Sequence, residues 1–210
     1  MKFLPNILKA FLVNFFLIGI IFASEVCPSI SPKIAGDSPK DQVEAILNGI
    51  VCSFIELQSD NSENSSSTLN LTKKKILPYV DLQYFTELAL KDYWDQLDLR
   101  ERKIFERDIK NSLIEEYIDI LSGFKDWKDV QISVDEDFTQ KDNIANIKVS
   151  VSLQNQNTTV TLKLIRKKRW KIYDLDYQTL SIVGIEKIGY DSKIKRQGIE
   201  KLIQKMLKKS

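Results

Sequence analysis

Few residues in this chain have the types and spacing to do chemistry. Asp174 and Asp176 stand two apart in an alternating segment, which places both carboxylates on one face of a strand. Paired carboxylates can divide acid and base work when a closed pocket raises the pKa of one. The surrounding sequence offers these two no catalytic partner, and helix capping or charge pairing is the simpler role for them. Histidine is absent, which removes the commonest general base and the commonest metal ligand together. Cys27 and Cys52 are the two cysteines. Without histidine they cannot complete an ordinary zinc site, and nothing nearby lowers a thiol pKa for nucleophilic work. Lys167, Lys168 and Arg169 form a basic turn with Lys163 and Lys171 near it. Such a cluster can meet phosphates or an acidic partner, or simply remain solvated at a sheet edge.

The elements that must position these groups follow from periodicity. The chain has 210 residues, 43% of them hydrophobic, with 31 Lys and Arg against 29 Asp and Glu. That balance gives no strong field for nucleic acid, and none is expected as a partner. The first residues have a signal-peptide pattern: Lys2 and Lys9, an apolar run from Ala10 to Phe22, then Ala23. The expectation is a cleaved leader over 1–23, an irregular segment over 24–38 and one domain over 39–208. Cleavage would remove two lysines and no acid, leaving the mature chain near neutral. Export would place Cys27 and Cys52 in an oxidising compartment, where they are expected to pair.

Ser38-Pro39 marks a helix start, with Ser38 as cap and Pro39 in the first helical position. The polar tract Ser59 to Thr68 has the composition of a loop. Asp81 should cap a short helix carrying Leu82, Phe85 and Leu88. Asp98 and Glu101 have capping-box spacing before a long helix ending near Leu121. Val130, Ile132 and Val134 alternate with polar residues, as do Ile147–Leu153 and Val160–Leu164, giving half-buried strands. The next strand puts Trp170 and Ile172 on one face and Tyr173, Leu175 and Tyr177 on the other, so both its faces need apolar cover. Ile199, Leu202, Ile203, Met206 and Leu207 make a final amphipathic helix. The expected class is α+β: N-terminal helices wrapped around a roughly four-stranded antiparallel sheet, with C-terminal helices.

Three stretches together resemble the MlaC family, the toluene-tolerance periplasmic phospholipid-binding proteins. Ile76-Leu77-Pro78-Tyr79-Val80-Asp81 with Tyr84-Phe85 is similar to the family's Leu-Pro-Tyr-aromatic-Asp motif, with Val80 replacing the aromatic. Tyr93-Trp94, the cap at Asp98 and the helix bearing Phe105 resemble the segment that follows. Arg169-Trp170-Lys171-Ile172-Tyr173-Asp174, then Leu180-Ser181-Ile182-Val183 and Gln197-Gly198-Ile199, are similar to the C-terminal signature. The resemblance spans roughly Pro39 to Met206. It implies a non-enzymatic periplasmic shuttle with no cofactor, its cargo a glycerophospholipid held by the acyl tails between sheet and helices; a monomer is the default expectation. It also implies exchange with an outer-membrane lipoprotein–porin complex and with an inner-membrane ABC lipid transporter and its lipid-domain subunit, maintaining outer-membrane lipid asymmetry. The lipid-facing candidates are Tyr84, Leu88, Trp94, Phe105, Ile109, Leu113, Tyr117, Val149, Val151, Leu162, Ile172, Tyr173, Leu175 and Val183. A non-catalytic structural or protein-binding envelope module and a carboxylate-dependent envelope enzyme are the alternatives.

Overall fold

The computed structural model describes residues 38–60, 64–122, 126–153 and 156–208. The expected leader over 1–23, most of the expected irregular segment over 24–38, and Cys27 lie outside them. Helix α1 (Pro39–Ser59) starts on a proline, which lacks the N–H that a first turn leaves unbonded anyway. Ser38 precedes it in extended conformation, but its side chain makes no capping bond. Proline and the acidic Asp41 in the first turn are the start signals present there.

The tract expected as a loop is partly helical. Asn64 accepts from Ser67 N–H at 2.9 Å, and the Ser67 hydroxyl accepts from Asn64 N–H at 3.0 Å. This reciprocal cap nucleates α2 (Ser65–Leu71). Serine and asparagine suit loops and caps for the same reason, which is that they bond their own backbone. Composition therefore pointed to a loop where the chain builds a cap. A π-helical turn, Thr72–Ile76, and a 3-10 turn, Leu77–Tyr79, follow directly.

Helix α3 (Leu82–Ala89) is capped by Asp81, which accepts from Tyr84 N–H at 3.0 Å. Helix α4 (Leu99–Ser122) begins with the expected capping box: Asp98 accepts from Glu101 N–H at 2.7 Å, and Glu101 accepts from Asp98 N–H at 3.0 Å. The strands are β1 (Gln131–Val134), β2 (Thr139–Lys141), β3 (Ile144–Leu153), β4 (Gln156–Arg166), β5 (Trp170–Tyr177) and β6 (Leu180–Ser181). They form one antiparallel sheet in the order β1-β3-β4-β5-β6, with β2 also on β3. The four longer strands are the expected ones, and β2 and β6 are short additions. Helix α5 (Ile182–Gln197) and helix α6 (Ile199–Lys208) close the chain. Gly198, at φ +81°, ends α5 with its N–H on the carbonyl of Ile194; a glycine meets that positive φ without a Cβ clash.

Most of the buried apolar residues fall into two clusters. One belongs to the helices: Phe85 and Ala89 of α3, Ile104, Phe105 and Ile109 of α4, Val183, Tyr190 and Ile194 of α5, and Leu202, Ile203 and Met206 of α6. The other joins Val43 of α1 to the sheet through Val134, Ala145, Ile147, Val149, Leu162, Leu164 and Trp170.

The expectation of two apolar faces on β5 is corrected by a bulge. The register shifts at Lys163/Leu164, so Leu164 pairs with Ile172 while Lys163 pairs with Asp174 and Leu162 with Leu175. Directly opposed residues share a face. Ile172 and Leu175 therefore point the same way, and both pack on the sheet cluster with Trp170. Tyr177, opposite Val160, follows them. The extra residue, Tyr173, absorbs the change of phase. Strict period-2 reading assumes an unbroken ladder, and one inserted residue inverts every later assignment.

Candidate functional site

Two of the stretches that carry the family resemblance meet along β5. Val80 forms a parallel bridge with Ile172, and Asp81 N–H donates to the Ile172 carbonyl at 2.8 Å. The basic turn is drawn into the same junction. Lys167 pairs with the buried Asp81 at 2.8 Å. Arg169 donates to the Pro78 carbonyl at 3.1 Å, and its guanidinium lies 5.4 Å from the Tyr79 ring centroid. On the other side, Gln42 of α1 both accepts from Trp170 N–H at 3.1 Å and donates to its carbonyl at 3.3 Å.

Asp174 is the second knot. It is 5% exposed. One carboxylate oxygen accepts from Leu175 N–H at 2.8 Å and Val183 N–H at 3.1 Å; the other accepts from the Ser181 hydroxyl at 2.7 Å and Lys163 at 3.0 Å. Ser181 in turn caps α5 by accepting from Gly184 N–H at 2.9 Å. Lys163 also reaches Asp176 at 2.8 Å. Burial pulls the Lys163 ammonium down, but its bonds to Asp176 and Asp174 outweigh that and hold it above its ordinary pKa. Both carboxylates thus serve charge pairing, and Asp174 also holds the start of α5, the simpler roles expected of them.

The lipid-facing candidates are divided between the two clusters. Phe105, Ile109 and Val183 are buried in the helical one, with Leu88, Trp94 and Leu113 packed against it. Val149 and Leu162 are buried in the sheet cluster, with Val151, Ile172 and Leu175 against it. Tyr84 and Tyr173 join the sides: the α3 ring meets the bulge ring edge-on, centroids 5.0 Å apart. Burial, with Tyr84 beside it, raises the Tyr173 pKa. The side chain of Tyr117 lies outside the described residues. Trp94 is held further by Arg102, which donates to its carbonyl at 2.9 Å and stacks 4.5 Å from its ring centroid. The candidates thus divide between two apolar clusters, with the Tyr84–Tyr173 contact linking α3 to β5. An open groove on α5, lined by Ile188, Asp191, Ser192, Lys195 and Arg196, contains none of them. Among the described residues, no group of His, Cys, Asp or Glu has the arrangement to hold a metal ion.

Residues 51–208 match the family model described as MlaC protein. The chain belongs to the MlaC family. One MlaC relative, the "Intermembrane phospholipid transport system binding protein MlaC" of Haemophilus influenzae, is 22% identical over 201 residues, covering 93% of this chain and 88% of that protein. A solved structure described as the phospholipid-binding protein from Ralstonia solanacearum in complex with a phospholipid superposes with a TM-score of 0.70. It is 18% identical and the match covers 80% of this chain and 94% of the other. At that identity, the similarity establishes a shared MlaC-type fold.

The sequence singled out neither Thr68 nor Thr72, two buried threonines. Thr68 ends the tract whose composition suggested a loop, and only the cap at Asn64 signalled a helix there.

Proposed function

We propose that this protein carries a glycerophospholipid through the periplasm, with the acyl tails held between its helical and sheet clusters. The observation that carries this reading is the division of the apolar residues into two clusters. It is supported by the family's relatives, one described as a phospholipid transport binding protein and one solved with a phospholipid bound. Physical necessity points the same way. Exposing two tails of ~30 methylenes costs on the order of 24 kcal/mol at ~0.8 kcal/mol each. A lipid therefore crosses water only inside an apolar enclosure. The Tyr84–Tyr173 contact between α3 and β5 is worth only about 1 kcal/mol and opposes separation there weakly, while Asp174 keeps β5 tied to α5.

On this reading one domain over 39–208 binds the cargo and works as a monomer without a cofactor. Its leader directs export, and Cys27 bonds to Cys52; no described cysteine is a free thiol. Its partners are an outer-membrane lipoprotein–porin complex and an inner-membrane ABC transporter with a lipid-domain subunit. Catalysis plays no part, because the carboxylates that could supply it are engaged by Lys163 and the start of α5. The test is extraction of well-folded protein purified without added lipid, followed by mass spectrometry. Co-purified phospholipid, or uptake from liposomes, is the expected result. Absence of both would favour a structural envelope module instead.

A further inference from the structure

Two buried hydroxyls have no role in the packing described so far. Thr68 is 0% exposed and Thr72 is 7% exposed, yet neither Oγ1 has a hydrogen-bond partner among the described residues. A buried helical hydroxyl ordinarily donates to the carbonyl one turn back. Ser53 does so to Gly49 at 2.8 Å and Thr86 does so to Leu82 at 2.6 Å. Thr68 and Thr72 do not.

Their spacing of four puts both on one side of the helix. Helix α2 packs against both α1 and α4. Helix α1 contributes Val43 to the sheet cluster, and α4 contributes Ile104, Phe105 and Ile109 to the helical one. The two hydroxyls therefore sit on a segment packed against one helix from each cluster. The helix also changes form there: Leu77 N–H bonds the Thr72 carbonyl five residues back, in a π turn, a feature frequent at functional positions. Lys73 and Lys74, immediately after Thr72, are exposed. Within one turn the segment passes from buried hydroxyls to solvent-exposed cations. A glycerophospholipid has the same order from ester to phosphate.

We propose that the hydroxyls of Thr68 and Thr72 donate hydrogen bonds to the acyl-ester carbonyls of the bound glycerolipid. They thereby fix how deep the tails sit and select ester-linked over ether-linked lipid. This rests on the phospholipid reading above. Polar groups buried without partners discriminate strongly, because a ligand lacking the complementary group leaves them unpaired.

The test is competitive loading of the full chain from vesicles holding equal amounts of diester and diether phosphatidylglycerol with matched tails, read as the bound ratio by native mass spectrometry. The wild-type protein is expected to favour the diester by about fivefold or more, the scale of one hydrogen bond. Thr68→Val/Thr72→Val should load both lipids at a ratio near one, whereas Thr68→Ser/Thr72→Ser, which keeps the hydroxyls, should retain the preference. A wild-type ratio near one overturns the proposal, as does a preference that survives in the valine variant. Should the valine variant not fold, the wild-type ratio alone decides. Failure of the wild-type chain to load either lipid would sink the phospholipid reading itself, a result distinct from loading both equally.

Discussion

Asp174→Ala is the substitution whose cost the structure specifies most fully. The carboxylate receives four hydrogen bonds, from Leu175 N–H, Val183 N–H, the Ser181 hydroxyl and Lys163. Its side chain is 4% exposed, so solvent offers those donors little replacement. Removing one partner of a buried charge pair costs about 3–5 kcal/mol. Lys163 is a quarter exposed and keeps Asp176, which pulls its share toward the lower end. The two backbone N–H groups and the Ser181 hydroxyl push the other way, each worth about 1 kcal/mol or more when left unpaired. The expected loss is therefore about 4 kcal/mol, a large part of a typical stability of about 5–15 kcal/mol. At about 2–4 °C per kcal/mol for a chain of this size, the melting midpoint should fall by about 8–16 °C. Asp174→Asn, which retains one acceptor oxygen, should lose roughly half as much. Urea titration with circular dichroism measures the difference, and lipid retention at low temperature should persist in whatever fraction remains folded. A destabilisation below about 1 kcal/mol for Asp174→Ala would refute the account of β5 and α5 as joined through this carboxylate. Unchanged stability together with loss of a lipid-hydrolysing activity in Asp174→Asn would return the residue to catalysis.

Other outcomes follow from single contacts. Tyr190 donates to Asp108 at 2.8 Å, and its pKa is raised, first by burial and then by the Asp108 charge. Above pH ~10 the unfolded tyrosine ionises while the native one does not, so stability should fall by up to about 1.4 kcal/mol per pH unit from this group. Tyr190→Phe should flatten that alkaline slope, and a native-state ionisation of Tyr190 seen near pH 10 by ultraviolet absorbance would contradict it. Thr179 is a β-branched residue at φ +70°, beside Gln178 at φ +47° in the β5–β6 turn. Thr179→Gly relieves that strain and should raise stability by about 1 kcal/mol in chemical denaturation; a loss would show that the turn is unstrained. Phe54 is fully buried and stacks on Trp127 at 4.2 Å with planes 10° apart. Phe54→Ala should cost about 3–5 kcal/mol and change Trp127 fluorescence, an expectation that an unshifted midpoint would remove. A double-mutant cycle on Tyr84→Leu and Tyr173→Leu should give a coupling of about 0.5–1.5 kcal/mol, and a coupling of zero would remove this pair as the link between α3 and β5.

The sequence by itself determined the local elements and the fold class. Asp81, Asp98 and Glu101 cap the helices as their spacing implied, because capping depends on side chains a few residues from the backbone they bond. The strand alternation of Ile147, Val149 and Leu162 placed each in the sheet core, since period 2 survives wherever the ladder is regular. The near balance of charge and the lack of histidine narrowed the chemistry before any coordinates. Tertiary structure decided what depends on partners distant in sequence. Leu175 joined Ile172 because one unmatched residue in β5 reversed the phase, an event visible only in the pairing with β4. Lys167 and Arg169 became ties to Asp81 and Pro78 across some ninety residues of chain, where sequence showed only a basic turn. The separation of one set of apolar residues into two clusters had no local signature at all. Which apolar side chains pack together depends on contacts distant in sequence, which residue type alone does not encode.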